Sequence, residues 1–444
     1  MTGTGTAMPG EMFHMGWFIG RGYGLPTWNR TWTGNATPRE WVRGDYFVEW
    51  AQALERACFD IMMFADTAYV PDTFGGSAKT YLNQGHMTPM HDPASLVPVL
   101  GYTTKRIGLV ATLSTTFYHP YALARLAGTL DSMTGGRFGW NIVTTSSRQA
   151  AGCFGVELPE HDERYDIADE FVELAEKLWA SWEPDSVAID EASGIYAEHS
   201  KISSVDYEGR HFRSTGPLNV QPSPQGRPVY VQAGGSPRGI RFAAEHAEAV
   251  VCMAKGAENM KAFRDSVREH AMAIGRDPDT VKVLYLIDPV VGETQHEVDA
   301  RVAIRDASRA GGLDGTLTMA GYSAVGGLDL ANIDLDAPLA DYEPEEGHRA
   351  VFEQMMAVGS TLREVLPTLD MAGTDLAGTP DQLAGQMSEL IQEVGGDGFL
   401  IGGWDATRRR IAEIADGLAP ALRRRGLMRD GYSHHTLREH LLEY

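Results

Sequence analysis

The chain has 444 residues, a formal net charge of −22 at pH 7 and a sequence pI near 5.0. A surface with this excess of carboxylates repels nucleic-acid backbones and anionic membranes, so we expect neither as a partner. Hydrophobic residues make up 43% of the chain and charged residues 22%, which indicates a globular protein with a large core and argues against disorder.

The beginning of the chain and its cysteines limit the cellular setting. Residues 1–11 contain neither the basic nor the apolar segment of a signal peptide, and we expect them to be disordered. No apolar run reaches membrane-spanning length. Cys58, Cys153 and Cys252 are far apart and lie in no metal-binding motif, which disfavours a disulfide framework or a metal site. The sequence therefore predicts a soluble, cytoplasmic protein without a metal.

Short apolar runs rich in β-forming residues recur along the chain, and amphipathic helical patterns separate them. In chain order, these eight runs cover residues 12–19, 59–65, 107–112, 137–144, 228–233, 249–254, 281–291 and 398–402. Parallel strands need a helical crossover between them, so this alternation predicts an α/β fold with a parallel sheet. Eight units favour closure into a (β/α)8 TIM barrel over an open sheet.

Two insertions interrupt the repeat of the predicted single domain, which spans residues 12–430. Residues 183–216, after strand four, are polar and turn-rich and predict a hairpin. Residues 293–378, after strand seven, predict a Gly- and Asp-rich loop at 311–338 followed by a helix. Such an insertion is either a lid over the active site or a surface excursion. Residues 431–444 predict a C-terminal arm able to pack on a neighbouring subunit.

A glycine-rich turn, QAGGSPRG at 232–239, follows the fifth run and opens a helix. Gly234, Gly235 and Ser236 would offer backbone N–H groups and a hydroxyl at a helix N-terminus, where a phosphate is stabilised. The turn is not GxGxxG, and no acidic residue follows at dinucleotide spacing, so a Rossmann site is a poor fit. A mononucleotide phosphate site and an ordinary capped turn remain as interpretations.

Further polar residues lie at strand ends or near a helix start. Asp66 ends the second strand in FADT and Thr112 ends the third in VATLSTT, where side chains of a barrel point toward the site. Asn141 is the polar residue of the otherwise apolar fourth strand and needs a partner when buried. His161 and Tyr165, four residues apart, would share one helix face, either as ligand-binding groups or as a cap and a packed tyrosine.

The sequence was also searched for motifs of hydrolytic and metal-dependent enzymes. The sequence contains no convincing nucleophile elbow, HExxH or paired-carboxylate motif, which disfavours hydrolysis and metal catalysis. Aromatic side chains crowd residues 13–46, and they predict either core and lid packing or a pocket for a flat apolar substrate. His14 is either a site residue or a satisfied core histidine.

Long segments together resemble one known family. They are FDIMMFAD, RIGLVATLSTTFYHPYALAR, LDSMTGGRFGWNIVTTS, EHDERYDIADEFVELAEKLW, PQGRPVYVQAGGSPRGIRFAAEHAEAVV and GTPDQLAGQM. The family is that of the bacterial-luciferase-like flavin-dependent monooxygenases related to nitrilotriacetate, EDTA and dibenzothiophene-sulfone monooxygenases. The resemblance runs from about residue 12 to the C-terminus and is weak in 28–43 and 311–359. It implies a TIM barrel of the luciferase-like type.

The resemblance also implies an enzyme that binds FMN at the carboxyl-terminal mouth of the barrel. The residues expected to meet the isoalloxazine and ribityl parts of the flavin are Asp66, Thr112 and Asn141. Those expected on the ribityl and phosphate side are His161, Tyr165, Gly235 and Ser236. The expected catalytic residues, which would orient the peroxide or the substrate, are Phe18, His91 and His161.

In the implied reaction, a separate NAD(P)H:FMN reductase supplies FMNH2, which fits the missing dinucleotide motif. FMNH2 reacts with O2 to give a flavin (hydro)peroxide, which oxygenates an organic substrate in a pocket closed to water. The aromatic residues favour an apolar aromatic or xenobiotic substrate, either an aryl sulfone or a halogenated aromatic. Residues 322–336 lack the histidine expected in sulfone-cleaving members, so hydroxylation and dehalogenation stay open.

Three alternatives use the same barrel. An F420-dependent oxidoreductase transfers a hydride without O2, a non-catalytic relative only binds FMN, and a hydrolase needs no flavin. The resemblance further implies a homodimer or homotetramer.

Overall fold

The computed structural model describes residues 12–20, 38–309, 312–342, 352, 355, 356, 358–366, 372–403 and 407–444. Its centre is a closed barrel of eight parallel strands whose order around the ring follows their order in the chain. Helices connect successive strands. The predicted α/β fold, a (β/α)8 TIM barrel with insertions after strands four and seven, is confirmed.

The strands of the described residues are β1 (His14–Ile19), β2 (Ile61–Phe64), β3 (Gly108–Ser114), β4 (Phe138–Val143), β5 (Val187–Asp190), β6 (Ile195–Ala197), β7 (Tyr207–Glu208), β8 (Arg213–Ser214), β9 (Val229–Gln232), β10 (Ala249–Cys252), β11 (Lys282–Ile287), β12 (Val290–Val291), β13 (Ala377–Gly378) and β14 (Gly398–Ile401). The barrel consists of β1–β4, β9–β11 and β14. Each of the eight apolar runs predicted from the sequence coincides with one of these barrel strands.

The α-helices of the described residues are α1 (Pro38–Arg43), α2 (Asp45–Arg56), α3 (Lys79–Gln84), α4 (Pro93–Thr103), α5 (Pro120–Thr134), α6 (Arg148–Phe154), α7 (His161–Trp179), α8 (Pro237–His246), α9 (Gly256–Ala273), α10 (Gln295–Arg309), α11 (Gly312–Gly326), α12 (Leu362–Val365), α13 (Pro380–Val394), α14 (Arg408–Ala412), α15 (Ala419–Arg424) and α16 (Leu437–Leu441). A π-helical stretch, Glu413–Leu418, joins α14 to α15. Short 3-10 helices cover Phe74–Gly76, His199–Lys201, Pro278–Thr280 and Leu339–Asp341.

The barrel strands are buried on both faces, which explains why their sequences read as nearly continuous apolar runs. Alternate side chains, such as Ile61 and Met63 of β2, point inward and form a separate apolar cluster inside the barrel. Thr112 of β3 and Asn141 of β4 are partners in the parallel register. They therefore place two polar side chains near the carboxyl ends of adjacent strands.

The insertion after strand four contains the hairpins β5–β6 and β7–β8, in agreement with the polar, turn-rich sequence. The insertion after strand seven differs from its prediction. Residues 312–326, predicted to lie in a Gly- and Asp-rich loop, form the helix α11, and α10 precedes it. Leu317, Ala320 and Ala324 of α11 are buried, so packing outweighs the poor helix propensity of its glycines.

The C-terminal segment packs on this chain's own barrel, and its predicted role as an arm for a neighbouring subunit stays a prediction. Leu437 and Leu441 of α16 join the apolar cluster inside the barrel. Glycine at position 139 leaves room for this contact, since a Cβ there would lie 3.2 Å from Leu437 Cδ2. The segment thus closes the end of the barrel opposite the carboxyl ends of the strands.

Buried polar contacts reinforce that closure. The Arg429 guanidinium forms an ion pair with Asp60 at 2.9 Å, and the ring of His14 stacks on Tyr444 with centroids 4.5 Å apart. Burial alone would raise the pKa of Asp60, but His14 and Arg429 outweigh it and hold the pKa below its usual value. His14 is therefore a core histidine at the closed end and lies outside the candidate site.

Among the described residues, no helix has both the length and the apolar character needed to cross a bilayer. The cytoplasmic location stays a prediction.

Leu437→Ala tests the closure of the barrel. Removing a fully buried side chain from the apolar interior is expected to lower the free energy of unfolding by about 2–5 kcal/mol. Urea denaturation followed by tryptophan fluorescence measures this loss. Leu442→Ala is the matched control, because Leu442 is exposed, and it is expected to change stability by less than about 0.5 kcal/mol. Equal losses in the two variants would contradict the packing of α16.

Candidate active site

Two buried polar side chains mark the mouth of the barrel. The Asn141 side-chain amide donates a hydrogen bond from Nδ2 to Thr112 Oγ1 at 2.7 Å, and both residues are about 95% buried, with 4% and 5% exposed. Asn141 Oδ1 is also buried and has no hydrogen-bond partner among the described residues. A buried acceptor without a donor is costly, so this oxygen fits a ligand that brings an N–H group.

The glycine-rich turn lies at the carboxyl end of β9, the strand next to β4. Ser236 caps α8, since its Oγ accepts a hydrogen bond from the backbone N–H of Gly239 at 3.1 Å. Gly235 is exposed beside it. A Cβ on Gly234 would lie 2.7 Å from the hydroxyl of Tyr165, so this close approach requires glycine. The turn therefore presents a hydroxyl and a helix N-terminus, as its sequence predicted.

His161 and Tyr165 belong to the first turns of α7 and lie on one face, with ring centroids 5.3 Å apart. Burial raises the pKa of Tyr165, although hydrogen bonds to Ser236, Thr144 and Gln232 act in the opposite direction. His161 Nδ1 bonds the Asp162 carboxylate at 2.7 Å. The structure thus brings together Tyr165 and Ser236, which the sequence separates by 71 positions.

Arg164, next to Tyr165 on α7, is a buried cation that the sequence-based argument did not single out. Its side chain is buried, with 5% exposed, and its Nη1 donates to the Pro159 carbonyl at 3.0 Å. Its Nε has no partner among the described residues, and burial lowers the pKa of the guanidinium. Glu160 acts on this buried cation electrostatically, but no carboxylate of the described residues forms an ion pair with it, so an anionic ligand would stabilise it. The sequence did contain one clue to this residue: a basic side chain lies near the N-terminal end of a helix, where the positive end of the helix dipole disfavours a cation.

Asp66 lies two residues beyond β2 and is exposed in the mouth of the barrel. Desolvation by the surrounding protein and repulsion from the Asp92 carboxylate raise the pKa of Asp66 to about 6. Asp92 caps the N-terminus of α4 by accepting the backbone N–H of Ala94 at 2.8 Å. Tyr118 follows β3 and lies within the electrostatic influence of both carboxylates. Burial and the negative charges of Asp92 and Asp66 raise the pKa of its hydroxyl. The strand-two side of the mouth is therefore acidic.

The three predicted catalytic residues occupy different surroundings. Phe18 is partly buried and packs against the apolar cluster inside the barrel. His91 is held on the rim, where its Nε2 lies 2.9 Å from the Val42 carbonyl and its ring meets Trp41 edge-on at 4.6 Å. His161 lies on the Tyr165 side of the mouth. Their catalytic roles stay predictions, and much of the aromatic first loop, residues 21–37, lies outside the described residues.

The closed parallel barrel, with polar side chains near the carboxyl ends of its strands, has the architecture of a TIM-barrel enzyme. The family model for luciferase-like monooxygenases matches residues 21–419. The chain therefore belongs to the luciferase-like monooxygenase family, and the expected enzyme class, a flavin-dependent monooxygenase, is confirmed.

The relatives agree with this assignment. The chain is 36% identical to dibenzothiophene-sulfone monooxygenase of Rhodococcus erythropolis, over 92% of each protein. It is 33% identical to nitrilotriacetate monooxygenase component A of Aminobacter aminovorans, over 92% of this chain and 91% of that protein. The crystal structure of a riboflavin lyase with modified FMN and riboflavin superposes with a TM-score of 0.86 at 31% identity, over 98% and 96% of the two chains.

Asp66→Asn tests the acidic side of the mouth. Because the pKa of Asp66 is raised in the folded protein, its ionised form destabilises the fold above pH 6, and this penalty disappears toward pH 4. The flavin-free variant is expected to melt at a higher temperature than the wild type at pH 8, with a gap that narrows as the pH falls. Differential scanning fluorimetry between pH 5 and 8 measures it.

Asp190→Asn is the control for that series. Hydrogen bonds from Ser193 and Ala192 lower the pKa of Asp190, so this substitution is expected to lower the melting temperature at neutral pH or leave it unchanged. A gap between Asp66→Asn and the wild type that does not vary with pH would show that Asp66 titrates normally.

Proposed function

We propose that this chain is the oxygenase of a two-component system that uses O2 and FMN reduced by a separate NAD(P)H:FMN reductase to oxygenate an apolar aromatic substrate. The observation that carries the proposal is the buried Asn141 Oδ1 beside Thr112, for which the described part of the chain offers no hydrogen-bond donor. The ring of a flavin carries N–H groups of the kind that this acceptor lacks. The bound reduced flavin would supply the electrons that activate O2.

The protein also offers groups suited to the ribityl and phosphate end of the cofactor. His161, Tyr165, Gly235 and Ser236 would hold the ribityl chain and the phosphate, and Arg164 would supply the cation that balances the phosphate charge. Asp66 would meet the ribityl chain or the ring edge, away from the phosphate. The site would then accept FMN in one orientation, with the phosphate near Ser236. A phosphate on the opposite side would face the carboxylates of Asp66 and Asp92.

Two features support the proposal that a separate protein supplies the reduced flavin. We interpret this chain's glycine-rich turn as a mononucleotide phosphate site and not as an ordinary capped turn, and one relative carries the name of component A of nitrilotriacetate monooxygenase. The proposed partner is therefore a separate reductase that delivers FMNH2 by diffusion. We further propose that the enzyme works in the cytoplasm as a homodimer or homotetramer.

The substrate class follows from the lining of the mouth. The rings of Phe117, after β3, and Phe154, on α6, stack with centroids 4.0 Å apart, and Phe154 is half exposed. The acidic strand-two side repels anions and so disfavours an aminopolycarboxylate. We propose a flat, uncharged aromatic, either an aryl sulfone or a halogenated aromatic.

Ser236→Asp tests the phosphate site. Aspartate caps a helix as well as serine does, so the fold is retained while a carboxylate repels the phosphate. FMN affinity is expected to fall by about tenfold or more, as for like charges within a few ångströms. Fluorescence titration measures it, and riboflavin, which lacks the phosphate, is expected to bind equally well to both proteins.

Thr436→Asp is the charge-matched control, because Thr436 caps α16 at the closed end of the barrel. It is expected to leave FMN affinity unchanged. An unchanged affinity of Ser236→Asp for FMN would remove Ser236 from the site. Tighter binding of F420 than of FMN by the wild type would favour the deazaflavin alternative.

Phe154→Ala tests the aromatic lining. Loss of the stacked ring is expected to raise KM for an aromatic substrate roughly two- to tenfold, the worth of one aromatic contact, with kcat less affected. Steady-state oxygen consumption with a flavin reductase gives both constants. Tyr102→Ala, at an 84% exposed position on α4, is the control. Equal changes of KM in the two variants would show that Phe154 does not contribute to substrate binding.

A further inference from the structure

Helix α8 begins at the glycine-rich turn, and a group of charged side chains fixes it to helix α7. Arg238, the second residue of α8, donates from Nη2 to Asp166 Oδ1 of α7 at 3.0 Å and also to Asp169 Oδ2. The other oxygen of Asp169, Oδ1, lies 2.9 Å from Nε2 of His246, the last residue of α8. One carboxylate of α7 therefore contacts residues at both ends of α8.

The hydroxyl of Tyr165, on α7, lies inside the glycine-rich turn. A Cβ at either Gly234 or Gly239 would lie 2.7 Å from this phenolic oxygen. The Arg238 guanidinium carbon lies 5.4 Å from the centre of the Tyr165 ring, and the ring of Phe242 packs on it with centroids 5.6 Å apart. A shift of α8 away from α7 would therefore move the turn relative to the Tyr165 hydroxyl.

The charge of Arg238 is balanced within the protein. The helix dipole disfavours a cation at this position, because the N-terminal end of a helix is positive, and the two carboxylates of α7 compensate for it. Burial alone would raise the pKa of Asp169, but hydrogen bonds from His246 and Arg238 outweigh it and hold the pKa below its usual value. Asp169 is therefore ionised at neutral pH, and its pairing with Arg238 favours a role in joining two helices over a role in binding an anion.

We propose that Arg238 is a positioning residue that holds the start of α8 against α7 through its two carboxylate partners. The start of α8 carries Ser236, and the facing part of α7 carries Tyr165. The inference rests on the proposed function, in which these two residues bind the ribityl and phosphate end of FMN. Its consequence is that loss of the ion pair weakens the binding of the phosphate, even when the charge removed is negative.

Asp169→Asn gives the sign of the effect. Removal of a negative charge near a phosphate site would by electrostatics alone tighten the binding of FMN. Positioning predicts the reverse, and FMN affinity is expected to fall about three- to tenfold, the range for a weakened hydrogen bond. Arg238→Met, which keeps an unbranched side chain over the Tyr165 ring, is expected to lower it at least as much. Fluorescence titration measures both, and riboflavin affinity is expected to stay near the wild-type value because riboflavin lacks the phosphate.

Glu163→Gln is the charge-matched control. Glu163 is exposed in the first turn of α7 and forms no ion pair in the described part of the chain, so the variant loses the same charge without breaking a contact. Its FMN affinity is expected to equal that of the wild type or to be slightly higher. Tighter FMN binding by Asp169→Asn than by the wild type would overturn the inference, as would equal losses of FMN and riboflavin affinity in Arg238→Met, which would indicate general destabilisation.

Hydrogen exchange of the flavin-free proteins tests the link between the helices without the cofactor. In peptides covering residues 232–243, Arg238→Met and Asp169→Asn are expected to exchange about three- to tenfold faster than the wild type, and Glu163→Gln at the wild-type rate. Unchanged exchange in Arg238→Met would overturn the inference. Failure of the wild type to bind FMN, with the expected exchange pattern intact, would overturn the flavin proposal and leave the link between α7 and α8 established.

Discussion

The hydrogen bond from Asn141 to Thr112 is the interaction on which the site depends. It uses one N–H of the Asn141 amide on a neighbouring strand, while Oδ1 of the same amide has no hydrogen-bond partner among the described residues. The two residues are register partners in a closed barrel, so neither can move without disturbing the β3–β4 ladder. Rigid strands thus hold an unsatisfied acceptor ready for a ligand, and this preorganisation reduces the entropy lost on binding.

Charge gives the site a direction. In the proposed site, Ser236 and Arg164 would favour an anion on the strand-four and strand-five side, while Asp66 and Asp92 make the strand-two side acidic. A ligand with a phosphate at one end and a neutral ring at the other satisfies both sides in one orientation only. Under the proposed function, the same acidic side would disfavour an anionic substrate by charge repulsion.

The barrel was predictable from the sequence because strands buried on both faces need continuous apolar runs, and helices between parallel strands need amphipathic ones. The pairing of Tyr165 with Ser236 was predicted only through family resemblance, since no local pattern relates residues on α7 and the β9 turn. The loop predicted over 312–326 was wrong, and the packing of the tail in the barrel was not anticipated, for the same reason. Both α11 and the tail with Leu437 are stabilised by distant packing that local propensity does not record.

Arg164 shows a further limit of local reasoning. Its charge is visible in the sequence, but its burial and the absence of an ion pair with a carboxylate among the described residues are visible only in the structure. Conversely, His14 lies on a strand that contributes to the site and yet serves the closed end, where it contacts Asp60 and Tyr444. The end of the barrel that a residue occupies, more than its chemistry, decides its role.

The most direct test of the account is a single turnover with isotopically labelled oxygen. The enzyme with photoreduced FMN is mixed with 18O2 and a panel of aryl sulfones and chlorinated phenols, and the products are analysed by mass spectrometry. The account predicts that at least one aromatic member gains one 18O atom per FMNH2 oxidised. Recovery of all the oxygen as hydrogen peroxide, with no labelled product from any aromatic member, would contradict it.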